Sequence, residues 1–110
     1  MTPEEEIRQV LERYRQAHEK KDLTLLDDVY DGLTAAQRES NAKYLQNAQD
    51  LHVMIRDVDI AVRGNDAVVS YTREDRFIDT ETGEGVKLEV RPTKILMRTD
   101  GTWKIASGKK

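Results

Sequence analysis

The sequence predicts an α+β fold: three N-terminal helices packed on a curved four-stranded antiparallel sheet. Three observations carry that prediction. Two helix-opening signatures, "TPEE" at 2–5 and "TAAQ" at 34–37, lie before residue 40. From Leu51 the apolar period changes from helical spacing to two. Near the end of the chain, "TDGT" at 99–102 sets Asp-Gly at the centre of a hairpin turn.

In "TPEE", Thr2 is the N-cap, Pro3 takes the first helical position and Glu5 completes a capping box. Glu4, Glu5 and Glu6 suit the positive end of the helix dipole. Ile7, Val10, Leu11, Tyr14, Ala17 and His18 then form one stripe at helical spacing. Asp22 caps a second, shorter helix, with Leu23, Leu26, Val29, Tyr30 and Leu33 on its buried face and Gly32 as its break. "TAAQ" opens a third helix that runs to about Asn47. Its stripe of Asn41, Tyr44, Leu45 and Ala48 is thin, so this helix is expected to lie partly exposed or against a partner.

In the first strand Val58, Ile60 and Val62 alternate with Asp57, Asp59 and Ala61, which gives one wet face. "RGND" at 63–66 turns the chain, and residues 67–79 return as the second strand. "TETGEG" at 80–85 is the next turn. The third strand covers 86–99, opening with Val86, Leu88 and Val90 in phase, and Trp103 and Ile105 anchor the last. Pro92 lies inside the third strand and removes one ladder donor, which an edge position or a bulge would tolerate. A bulge there would turn Ile95 and Met97 to the core; the other reading places them on the outer face.

The length of 110 residues is that of one domain, 1–110, with one modest core. Charged residues at 35% nearly equal hydrophobic ones at 37%, but the periodicity marks a folded chain. The net charge is −3, and neither half is strongly basic: residues 1–50 hold 7 basic and 11 acidic residues, the rest 11 and 10. A nucleic-acid partner is therefore not expected. Without cysteine there is no disulfide framework, thiol nucleophile or zinc-thiolate site. No apolar run is long enough for a membrane span, and no signal peptide is read; the cytoplasm is favoured unless a signal peptide has been trimmed.

The stretch "SYTREDRFID" at 70–79 puts four charges side by side in a strand. Alternation sets Val69, Tyr71, Arg73, Asp75 and Phe77 on one face, and Val68, Ser70, Thr72, Glu74, Arg76 and Ile78 on the other. Charges there must face water, pair, or serve a site. If the first face lines a cavity, Arg73 and Asp75 meet it, while Glu74 and Arg76 face solvent or a subunit partner. Arg91 and Lys94 are candidate cross-strand neighbours, and Arg73 with Lys94 would favour a carboxylate or other small anion.

The helix containing "RYRQAHEKKDL", the short second helix, the long strands and the final "DGTWKI" resemble the nuclear-transport-factor-2-like superfamily. That group includes polyketide-cyclase-like proteins, ketosteroid isomerase and the association domain of calcium/calmodulin-dependent kinase. The resemblance implies a cone, in which a concave sheet wraps the first helix and leaves a pocket at the open end. "VVSYTREDRFID" is similar to the strand of the kinase association domain that carries a pocket arginine, here Arg73. Tyr14 resembles in position the isomerase tyrosine that donates to a developing oxyanion. The chain departs from the isomerase where its base lies: "DGLTAAQ" runs straight into the third helix, with no acidic residue at a matching position. Tyr14 is thus expected to be a core tyrosine with its hydroxyl at the pocket floor.

His18 and His52 lack metal-ligand spacing, so no metal site is expected. "TGEG" lies between strands rather than before a helix, and Ser40, Ser70 and Ser107 sit in no nucleophile elbow. No cofactor is expected. The candidate pocket residues are Tyr14, Arg73, Asp75 and Lys94. The leading functional reading is a noncatalytic accessory or assembly domain, homodimeric, with a pocket for a small carboxylate. The runner-up is a small isomerase-, cyclase- or hydratase-like enzyme, which a base–acid pair converging on one cavity would favour.

Overall fold

The computed structural model describes residues 1–107. Its elements run α1 (Pro3–Glu19), α2 (Leu23–Val29), β1 (Tyr30–Asp31), α3 (Ala35–Asn47), β2 (Ala48–Arg63), β3 (Asp66–Asp79), β4 (Gly85–Val90), β5 (Thr93–Thr99) and β6 (Thr102–Ala106). Both capping boxes form: the Thr2 hydroxyl accepts from the Glu5 amide and the Thr34 hydroxyl from the Gln37 amide, with the side chains of Glu5 and Gln37 reaching back. Asp22 caps α2 through the Leu25 amide.

The sheet differs from the expected four-strand meander. Its strand order is β1-β6-β5-β3-β2, with β4 beside β3. β1 pairs in parallel with β6, so the sheet is mixed. Helix α2 stops at Val29, before Gly32, because Tyr30 and Asp31 are drawn into that pairing. The expected strand 86–99 is divided at Arg91–Pro92, where proline offers no amide hydrogen to the ladder. Both pieces still pair with β3, in the same direction: Val90 lies opposite Arg73, and Lys94 opposite Val69. The side-chain phase is kept through the break. Leu96 is therefore the core residue, while Ile95 and Met97 stay on the outer face and are exposed, which removes the core alternative for them.

Strand β2 carries two register shifts, between Gln49 and His52 and between Arg56 and Asp59. Asp50 and Asp57 fall in these gaps with φ of 53° and 54°, a left-handed turn of the chain that aspartate tolerates better than most residues. Bulges of this kind bend a strand and raise its twist, and here they curl the sheet toward α1. Asp100 and Gly101 both have positive φ, as the tight hairpin between β5 and β6 requires.

The main core joins α1 (Ile7, Val10, Leu11, Tyr14, Ala17), α2 (Leu26, Val29) and the concave face of the sheet (Ala67, Val69, Tyr71, Leu96, Trp103, Ile105). A smaller cluster of Leu45, Ala48, Leu51 and Val53 fastens only the C-terminal end of α3. The rest of α3 is partly exposed, as its thin stripe predicts.

Candidate functional site

Alternation along β3 sends Val69 and Tyr71 into the core and carries Arg73 and Asp75 just past it on the same face. On α1, Tyr14 and His18 are one helical turn apart and point to the same place. Ser40, Asn41 and Tyr44 supply one face of α3. Leu88 and Val90 of β4, Pro92 and Lys94 of β5 close the far wall. Together these groups line a cavity of about 400 Å³. All four sequence candidates, Tyr14, Arg73, Asp75 and Lys94, are on its wall.

At its floor the polar groups form one network. Arg73 Nε and Nη2 donate to the two carboxylate oxygens of Asp75, both at 2.8 Å. Arg73 Nη1 donates to the Tyr14 hydroxyl at 2.6 Å and lies 3.4 Å from His18 Nε2. The Tyr44 hydroxyl donates to Asp75 Oδ2 at 2.6 Å. The Arg73 and Asp75 side chains are only 12% and 6% exposed, so neither charge would be stable there without the other. Burial works against the Arg73 charge, but the bonds to Asp75 and the neighbouring Tyr14 and Asp75 oxygens outweigh it and raise its pKa. Burial, then the bond to Asp75, raises the pKa of the Tyr44 phenol, so it stays a donor.

His18 is buried, with Nδ1 2.9 Å from the Tyr14 carbonyl oxygen. Burial first, then the Arg73 charge and to a lesser degree Lys94, push its pKa down to about 4. It is neutral near pH 7. Two cations, Arg73 and Lys94, and one carboxylate, Asp75, therefore line the cavity. Arg73 is committed to Asp75, whereas Lys94 has no anionic partner among the described residues.

The sequence reading missed His18, Ser40, Asn41 and Tyr44 as pocket residues. The four-residue spacing of Tyr14 and His18 was a usable signal, as was the polar Asn41 beside Tyr44 in the stripe of α3. Arg91 is not at the cavity: it reaches the outer face, where it donates to Asp59 Oδ2 and the Thr72 hydroxyl. Arg76 is exposed on that face as expected. Glu74 is not: its side chain is 7% exposed, beneath Arg76 at 2.8 Å and Arg56 and Lys87 at 3.6 Å each. Burial opposes ionisation of Glu74, but these three cations hold its pKa below the usual range. Long cationic stems, rather than core packing, cover it. Among the described residues no cluster of His and acidic side chains is arranged to hold a metal ion, and no helix is long and apolar enough to cross a membrane.

Solved structures share this architecture. An NTF2-like protein from Streptomyces avermitilis, provisionally named a dehydratase, superposes with a TM-score of 0.80 at 19% identity, covering 96% of this chain and 95% of that one. An NTF2-like superfamily protein from Salmonella enterica serovar Typhimurium gives 0.79 at 15% identity, covering 92% and 84%. A protein from Xanthomonas campestris, provisionally named a calcium/calmodulin-dependent protein kinase II association domain, gives 0.71 at 16% identity, covering 91% and 80%. At such identities the likeness carries the fold and not the chemistry. Among curated proteins, none matches the sequence. The family model of the SnoaL-like domain matches residues 31–109, most of the chain and every pocket residue except Tyr14 and His18. The chain belongs to the SnoaL-like domain family and has the fold of the NTF2-like structures it superposes on.

Proposed function

We propose that the chain is a noncatalytic accessory or assembly domain whose cavity takes a small carboxylate with an apolar body. One observation carries the reading: Lys94, a cation without an anionic partner among the described residues, lines the same cavity as the apolar Leu88, Val90 and Pro92. A carboxylate at Lys94 balances the surplus positive charge, while an apolar body covers Leu88 and Val90, which are otherwise half exposed. Asp75 tempers Arg73, so a bound acid gains most from Lys94 and less from Arg73. Backbone NMR titration with a panel of small carboxylic acids tests this. Shifts centred on Lys94, Val90 and Arg73 that Lys94→Met abolishes are expected; shifts scattered over the surface, or unchanged by Lys94→Met, refute it.

The assembly is proposed to be a homodimer through the outer face of the sheet. Val68 and Ile95 are paired across β3 and β5 there, with Met97 near them, and all three are exposed. Ile95→Glu would then halve the mass found by light scattering; a 12.7 kDa wild type at high micromolar concentration excludes the dimer.

A second reading, an isomerase-, cyclase- or hydratase-type enzyme, is favoured by the neutral His18 imidazole beside the Tyr14 ring, with Arg73 Nη1 touching both its Nε2 and the Tyr14 hydroxyl. Asp75 is poorly placed to take a proton from a ligand, because three hydrogen bonds already occupy its oxygens. His18 would be the proton acceptor instead. Deuterium uptake from solvent at carbon next to a ligand's carbonyl, lost in His18→Phe, would support this reading over the first.

A further inference from the structure

The His18 ring has a single workable tautomer. Its Nδ1 lies 2.9 Å from the Tyr14 carbonyl oxygen, which can only accept, so Nδ1 carries the hydrogen. Nε2 therefore presents a lone pair. Among the described residues its one hydrogen-bond contact is Arg73 Nη1 at 3.4 Å, from an NH2 group whose shorter bond, at 2.6 Å, goes to the Tyr14 hydroxyl. The contact is long for a hydrogen bond, so the lone pair of Nε2 is poorly used. The ring is also on the wall of the cavity that Lys94 lines. The other oxygen acceptors at the floor, those of Asp75 and Tyr14, are each occupied by short bonds.

From this arrangement we infer that His18 is the specificity-determining group of the pocket: its Nε2 selects acids that carry a hydroxyl or enol O–H near the carboxylate. The inference rests on the anion-pocket reading, since Lys94 supplies the anchor from which the O–H is presented. An acid without that donor leaves Nε2 as it is in the free protein and gains only the anchor and the apolar contact. An acid with the donor gives this buried acceptor a shorter bond than the 3.4 Å contact to Arg73. The charged and titratable groups around the ring are Arg73 and Asp75 from β3, Lys94 from β5 and Tyr14 from its own helix, with Tyr44 of α3 across the cavity. Burial, Arg73 and Lys94 keep the ring neutral well below pH 7 against the opposing pull of Asp75 and the Tyr14 carbonyl, so the selectivity holds near pH 7.

The test uses a matched pair, phenylacetate and mandelate, which differ by one hydroxyl. Affinities for wild type and His18→Phe are read by calorimetry, and the His18 nitrogens of wild type by ¹⁵N NMR. One enantiomer of mandelate is expected to bind wild type about five- to tenfold more tightly than phenylacetate. His18→Phe keeps a ring but removes the lone pair, and should bring the two acids to equal affinity. In wild type, Nδ1 should be the protonated nitrogen, and mandelate but not phenylacetate should move the Nε2 resonance toward a hydrogen-bonded value; this measurement stands even if the variant does not fold. Equal binding of the two acids to wild type, a preference that survives His18→Phe, or a protonated Nε2 overturns the inference and leaves the anion pocket intact. If neither acid binds, the anion-pocket reading fails and the inference falls with it. If phenylacetate binds but Lys94→Met does not weaken it, the anchor is wrong, and the inference falls for that separate reason.

Discussion

Lowering the pH should destabilise this fold through one buried ring. His18 has an ordinary pKa of 6.5 and is held at about 4 by burial and by the Arg73 charge. Above pH 6.5 the ring is neutral in both the folded and unfolded chain, and it contributes no pH dependence. Between 6.5 and about 4, the unfolded chain binds a proton that the fold refuses, so stability falls as the pH falls. At about 1.4 kcal/mol per pH unit, that interval corresponds to roughly 3 kcal/mol, of which about 2.5 kcal/mol is lost by pH 4.5. Carboxylates titrate in the same range, so the comparison with His18→Phe isolates the ring. Urea unfolding of both proteins from pH 7 to pH 4.5 is the assay. The stability difference between them should move toward the variant by about 2.5 kcal/mol across the series. Parallel curves would refute the placement of a neutral imidazole beside Arg73.

Trp103 closes the bottom of the main core with Arg98 stacked on its ring at 5.4 Å, so Trp103→Ala should cost about 3–5 kcal/mol in denaturant unfolding; a midpoint that barely moves would contradict the packing. Arg73→Ala strands the buried Asp75 and should cost about 3–5 kcal/mol, while the double change Arg73→Met with Asp75→Leu should recover most of it. If the double variant is as unstable as the single one, the pair is not the source of the loss.

Much of the scaffold was legible because local chemistry and tertiary packing agree. Thr2, Asp22 and Thr34 each cap the helix that the sequence assigns to them. The even spacing from Val58 to Val62, and from Val69 to Phe77, sets the concave face correctly, and with it the position of Arg73 and Asp75. What stayed hidden has no period to read. β1 is two residues long and exists only because β6 lies beside it. Pro92 announced an interruption, but the sequence could not say whether the phase would survive it; pairing with β3 on both sides preserves it. Glu74 is expected to face solvent or a subunit partner, because alternation places it on the outer face. The stems of Arg56, Arg76 and Lys87 come from three different strands to cover it, a tertiary fact. His18 passed as the end of an apolar stripe. Its importance depends on Arg73, 55 residues away in sequence.

A crystal structure of the protein grown with phenylacetate tests the pocket most directly. The carboxylate is expected within about 2.7–3.2 Å of Lys94 Nζ, the ring against Leu88, Val90 and Pro92, and the Arg73–Asp75 pair still in place. An empty cavity at saturating acid, or an acid bound with its ring inward and its carboxylate directed away from Lys94, would contradict it.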